Sequence, residues 1–224
     1  MTTVFIGING DKATMTSDTG LTTTINGKLQ TLSYKGHVVP LNDNLLLTTS
    51  GNAVLADSLV KELLATGKRL KADYVANYFI DKLENEHGQN KLSINLLTRH
   101  KGNFKFVNAE AIGFKDNISN EKLENYKVSN KEMDDLCTET PYKKSEFISS
   151  EKQSKYYFLK PYIPQVANKI DEAFRENVDI AKIAKFAVQA VAAEADNIGH
   201  TQYVDAWTMN KTGIPYKEDV SYAD

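Results

Sequence analysis

Apolar residues along this chain recur at two periods, one suited to strands and one to helices. Val4, Phe5, Ile6 and Ile8 make a short run of β-branched, aromatic and apolar residues, as a buried strand requires. Asn9-Gly10-Asp11 then supplies a hairpin turn, because Gly and Asn adopt positive φ at little cost. Lys12 to Asp18 alternates as the returning strand. Residues 19–36 are polar and threonine-rich; they predict a projecting hairpin, with its turn at Asn26-Gly27 and Lys28 to Tyr34 as its second strand. His37 to Leu41 and Leu45 to Thr49 are parted by a turn at Asn42-Asp43-Asn44. The second run ends at Ser50-Gly51-Asn52-Ala53.

The period then lengthens. Leu55, Leu59 and Leu63 recur at i+4 with Val60 and Leu64 beside them, a helix closed by Gly67. A second amphipathic helix spans about Asp73 to Glu84, with Val75, Tyr78, Phe79 and Leu83 on one face and His87-Gly88 after it. Strands return at Ser93 to Arg99 and Phe104 to Asn108, joined by Lys101-Gly102-Asn103. From Lys115 to Lys155 charged and small polar residues dominate, which predicts a surface excursion. Within it, Phe147 and Ile148 offer a return to the sheet over Ser145 to Ser150. Tyr162, Val166, Ile170 and Phe174 repeat at helical spacing. A stronger helix covers about Asp179 to Ala195, with an apolar stripe from Ile180 through Val191 to Ala195 and Asp179 as its N-cap. Asn197-Ile198-Gly199 ends it, Tyr203 to Met209 alternates as a strand, and Asn210 to Gly213 turns. The polar tail to Asp224 is expected on the surface.

Strands that come in hairpin pairs, rather than alternating singly with helices, exclude a doubly wound parallel sheet. The order predicts an α+β fold, a four-layer αββα sandwich of two antiparallel sheets with helices on both outer faces. No repeat or linker divides the chain, which reads as one domain over 1–224 with its excursion at 115–150.

Composition narrows the function. The net charge of −2 argues against nucleic acid as a partner, since phosphate binding needs a basic surface. No apolar run approaches a membrane span or a signal peptide. The one cysteine, Cys137, cannot form an internal disulfide, so a cytoplasmic location is expected. His37, His87, His100 and His200 have no metal-ligand spacing, and Gly7-Ile8-Asn9-Gly10 is no phosphate loop; neither metal nor cofactor is expected.

The first strand carries the candidate chemistry. With Met1 removed, Thr2 would hold a hydroxyl and a free α-amine together, and such an amine can act as base for a weak oxygen nucleophile. This stretch resembles the start of proteasome β subunits and of the bacterial two-ring ATP-dependent protease that shares their fold. The shared pieces are Thr2-Thr3, a strand, a Gly turn, a second strand and Ser17-Asp18-Thr19. Ser50-Gly51-Asn52-Ala53, and Ala195-Asp196-Asn197-Ile198-Gly199 before a Val-Asp strand, extend the resemblance to most of the chain.

The resemblance implies the N-terminal-nucleophile hydrolase fold and a threonine peptidase that cleaves peptide bonds through Thr2. A free α-amine titrates near ~7.7–8.0 and serves as the base. Asp18 would orient a cation beside it, and the Gly51 N–H would donate to the oxyanion. Asp196 would anchor the network around the amine, and Ser149 or Ser150 would supply a helper hydroxyl. Thr22, Thr49 and Ala53 would line the pocket for the residue before the cut bond. A peptide or unfolded-protein substrate, a homo-oligomeric ring and an ATPase partner go with this reading.

Two positions depart from the family pattern. Counting back from Gly51 without a gap places His37 where the family has a lysine, with Lys35 two residues away on the same strand face. A histidine, mostly neutral at pH 7, replaces that charge only weakly. Gly199 stands where active relatives carry a serine. A catalytically inactive assembly subunit of the same fold is therefore the alternative reading, and a small-amide amidohydrolase without a ring is the third. Asp18 and Asp196 also read as plain caps of a strand and a helix, and Gly51 and Gly199 as turn glycines.

Overall fold

The computed structural model describes residues 4–26, 28–34, 37–86, 91–112, 143–148, 153–159, 164–194 and 204–218. The hairpin written into Asn9-Gly10-Asp11 forms, with Gly10 at φ 55° joining β1 (Val4–Asn9) to β2 (Lys12–Asp18). β3 (Gly20–Ile25) and β4 (Lys28–Tyr34) make a separate two-stranded ribbon turning at Asn26. β5 (Val38–Asn42), β6 (Leu45–Gly51), β7 (Lys91–His100) and β8 (Asn103–Ile112) form a four-stranded meander in that order. β9 (Lys143–Ile148), β10 (Gln153–Leu159), β11 (Val204–Asn210) and β12 (Tyr216–Lys217) complete a six-stranded sheet ordered β12-β11-β2-β1-β10-β9. All these pairings are antiparallel. Pro40 fits β5 because that strand lies at the sheet edge, where a missing N–H costs no ladder bond.

Period-two alternation turns each strand's apolar residues toward two different layers. Val4, Ile6, Ile8, Ala13, Met15 and Met209 of the first sheet meet Val38, Leu46, Leu97 and Phe106 of the second in the central core. On the outer face of the four-stranded sheet, Leu45, Leu47, Ile94 and Leu96 pack against α1 (Ala53–Ala65) and α2 (Ala72–Glu86) through Leu59, Leu63, Val75, Phe79 and Leu83. On the outer face of the six-stranded sheet, Phe5 packs under α3 (Pro164–Arg175) and α4 (Ile180–Glu194). Gly7 lets α4 approach closely, since a Cβ there would lie 2.6 Å from Ile180 Cδ1. Three apolar layers between four structural ones make the αββα sandwich that the hairpin pairing predicts.

Differences from the sequence reading are local. The aromatic run Tyr156-Tyr157-Phe158 belongs to β10, which begins at Gln153 inside the stretch read as irregular. Its β-forming aromatic residues outweigh the polar residues before them. The helix expected around Tyr162 starts at Pro164, a residue whose fixed φ suits the first helical turn. The tail expected on the surface is exposed over both residues of β12, and there it also pairs with the sheet edge, a strand the sequence reading did not include. Leu64, placed beside the α1 stripe, points outward and is 46% exposed. No helix among the described residues is long and apolar enough to cross a membrane.

Candidate active site

Two cross-sheet ties decide which strand ends share an end of the sandwich. At one end, Arg99 on β7 is buried and donates to both sheets. Its Nε reaches Asn44 Oδ1 at 3.0 Å and its Nη2 reaches Asp43 O at 2.8 Å and Gly213 O at 2.6 Å; Nη1 donates to Asn210 O. At the other end, the Val38 N–H of β5 donates to Asp205 Oδ2 of β11 at 2.9 Å.

The second end gathers the sequence-derived candidates. Val4 pairs with Ser17, so the start of β1 meets the end of β2, and Asp18 is the next residue there, 1% exposed. Val204 pairs with Asp18 on the other side. In the facing sheet, Val38 pairs with Thr48, and β6 runs on through Thr49 and Ser50 to Gly51. Gly51 lies three residues, about 10 Å of strand, beyond Thr48. Its φ of 124° is a conformation that residues with a Cβ rarely adopt. Asn52 then caps α1, its Oδ1 accepting the Leu55 N–H at 3.1 Å, and half-buried Ala53 is the first helical residue. This strand-to-helix turn therefore presents backbone, not side chain, at Gly51.

His37 immediately precedes β5 at the same end and is half-buried. Thr49 shares the pleat face of Leu45 and Leu47, the side covered by α1 and α2. Asp18 shares its face with Thr14 and Thr16, on the side where Thr14 Oγ1 meets Thr208 Oγ1 at 2.8 Å. Thr22 is on β3 opposite Thr31. Thr2, Lys35, Ser149 and Asp196 lie outside the described residues, as do Met1, Ser150 and Gly199.

Sequence reasoning missed a change of character in the central layer. Toward the Arg99 end it is apolar; toward the Asp18–Gly51 end its inward-facing residues become Ser17, Thr48, Asn95 and Asp205, each at most 3% exposed. Ser17 Oγ and Thr48 Oγ1 are buried without a hydrogen-bond partner among the described residues, which is uncommon for buried hydroxyls. Asp205 is next to Ser17 in register. Its Oδ1 lies 3.0 Å from Lys217 Nζ, a charge contact without hydrogen-bond angles. Lys217 comes from β12, where burial foremost, then the Glu218 charge, raises the Tyr216 phenol above its ordinary value. The signal for Asp205 was present: an acidic residue on the inward positions of β11, in step with Trp207 and Met209. Among the described residues no group of three or more His, Cys, Asp or Glu is placed to hold a metal ion.

No protein-family model and no curated protein matches the sequence. Among solved structures, Thiobacillus denitrificans BPH in complex with epoxomicin is similar, with a TM-score of 0.61 over 94% of this chain and 100% of that one, at 14% identity. At such identity the likeness speaks for fold alone. With the layer order above, it gives this chain a proteasome-like αββα fold.

Proposed function

We propose that this chain is a threonine-type peptidase whose nucleophile is Thr2, uncovered by removal of Met1. One observation carries the reading. The start of β1, the end of β2 and the Gly51 turn lie at one end of the sandwich, where its central layer turns polar. Thr2 is tethered two residues before Val4, and two residues of extended chain reach at most ~7 Å. The chemistry then follows from the parts. The α-amine takes the Thr2 hydroxyl proton as Oγ adds to the substrate carbonyl, and the Gly51 N–H faces the developing oxyanion. The C–N bond breaks, the leaving amine receives that proton, and water hydrolyses the resulting ester. Asp18, Lys35 or His37, and Asp196 set the charge around the amine, Ser149 or Ser150 supplies the helper hydroxyl, and Thr22, Thr49 and Ala53 shape the pocket for the residue before the cut bond. A homo-oligomeric ring acting on peptides or unfolded protein in the cytoplasm, fed by an ATPase, completes the proposal. The similar structure supports it in one further respect: that protein holds epoxomicin.

The test is hydrolysis of a panel of short fluorogenic peptides by the purified protein and by Thr2→Ala. Activity lost in the variant, with the thermal melt unchanged, supports the reading; equal activity in both refutes it. A second reading, an inactive assembly subunit, is favoured by one feature: the residue before β5 is His37 and not a lysine. A retained Met1 together with a defined oligomer by light scattering would select it.

A further inference from the structure

We propose that Asp205 is a positioning residue of this site and that Lys217 completes it, so that the C-terminal strand takes part in the machinery at the Thr2 end. The inference rests on the function proposed above.

Asp205 is a carboxylate at 2% exposure, placed on β11 between the two sheets. A buried carboxylate is costly unless it is paired and hydrogen-bonded. This one is held from two directions. Its Oδ2 accepts the Val38 N–H at 2.9 Å, from an edge strand of the opposite sheet. Its Oδ1 faces Lys217 Nζ at 3.0 Å, from β12. β12 is in turn held by pairing of Trp207 with Lys217 and by the Glu218 N–H on Ala206 O at 2.9 Å.

Val38 follows His37 directly, and Thr48, three residues before Gly51, is its partner in the sheet. Fixing the Val38 amide therefore fixes where β5 begins against β11 and β2, beside Ser17 and Asp18. Hydrophobic packing in the central layer sets the distance between sheets but is non-directional. A hydrogen bond to a carboxylate is directional and sets their relative slide. Lys217 contacts the other oxygen of that carboxylate while its own side chain stays 59% exposed.

The experiment compares wild type with Asp205→Asn, Asp205→Ala and Lys217→Met. Two readouts are taken: hydrogen exchange at the Val38 amide, and the rate at which epoxomicin modifies the protein, followed by intact mass. In Asp205→Ala, Val38 exchange should rise about tenfold or more, the scale of one lost hydrogen bond, and modification should slow by a similar factor. Amides of the Arg99 end should exchange as in wild type. Asp205→Asn keeps an oxygen for the Val38 N–H and should restore both readouts to within about threefold of wild type. Lys217→Met, at an exposed position, should speed Val38 exchange without lowering the thermal melt by more than a few degrees. The inference is overturned if a folded Asp205→Ala protects Val38 as wild type does. Should that variant not fold, wild-type exchange in Lys217→Met overturns it instead. An Asp205→Ala protein that loses Val38 protection yet reacts with epoxomicin at the wild-type rate also overturns it; if no protein, wild type included, reacts, the peptidase reading fails and the positioning role fails with it.

Discussion

Replacing Arg99 with Met should cost more than any exposed substitution in this protein. Arg99 is 8% exposed, and its guanidinium makes four hydrogen bonds, to Asn44, Asp43, Asn210 and Gly213, spanning both sheets. Hydrogen bonds to charged groups contribute roughly 1.5–3 kcal/mol each, which would sum to about 6–12 kcal/mol. That sum is too large here. Asp43, Asn44 and Gly213 are in exposed turns, so their oxygens regain water when the arginine leaves, and Met restores most of the stem's apolar contact. The net loss should be about 3–5 kcal/mol, comparable to other broken buried polar networks. For a chain of this length that lowers Tm by very roughly 6–20 °C. Lysine should recover less than half, because a single ammonium cannot match the planar fork that reaches four acceptors. Urea unfolding of wild type, Arg99→Lys and Arg99→Met with a common m-value measures this directly. An Arg99→Met protein within about 1 kcal/mol of wild type would refute the view that this clamp aligns the sheets.

Two further substitutions test the outer layer on the six-stranded sheet. Gly7→Ala puts a Cβ 2.6 Å from Ile180 Cδ1 and 3.0 Å from Phe5 Cε1, and should destabilise by about 1–3 kcal/mol; Ile180→Val should relieve part of that loss in a double-mutant cycle followed by urea unfolding. Asp179→Ala removes the cap on the Ala181 N–H, at 3.0 Å, and a half-exposed contact with Lys12 at 3.8 Å. It should cost about 1–2 kcal/mol in thermal unfolding, nearly all from the cap, with Asn at that position close to wild type.

The fold was legible where one period dominated a stretch. Val4 to Ile8 is an apolar run, Lys12 to Asp18 alternates after a glycine turn, and Leu55, Leu59 and Leu63 keep helical step; each became the expected element. β10 was not legible, because its aromatic residues sit between a polar approach and a proline-bearing helix start, so no period was long enough to register. β12 has two residues and forms only because β11 offers an edge; no local sequence signal can announce that. The candidate site divides in the same way. Asp18, His37 and Gly51 sit at ends of elements that the pattern located, and those ends lie at the same end of the sandwich. Asp205 depends on a bond to a residue 167 positions away, and Arg99 on carbonyls of two distant turns. Long-range polar partners of this kind leave no periodic trace in the sequence.

Reaction of the purified protein with epoxomicin, followed by tandem mass spectrometry of its N-terminal peptide, bears most directly on the account. The expected product is a peptide that begins at Thr2 and carries the added mass on that residue. A peptide that begins at Met1 without the adduct, or an adduct found at another residue such as Cys137, would contradict it.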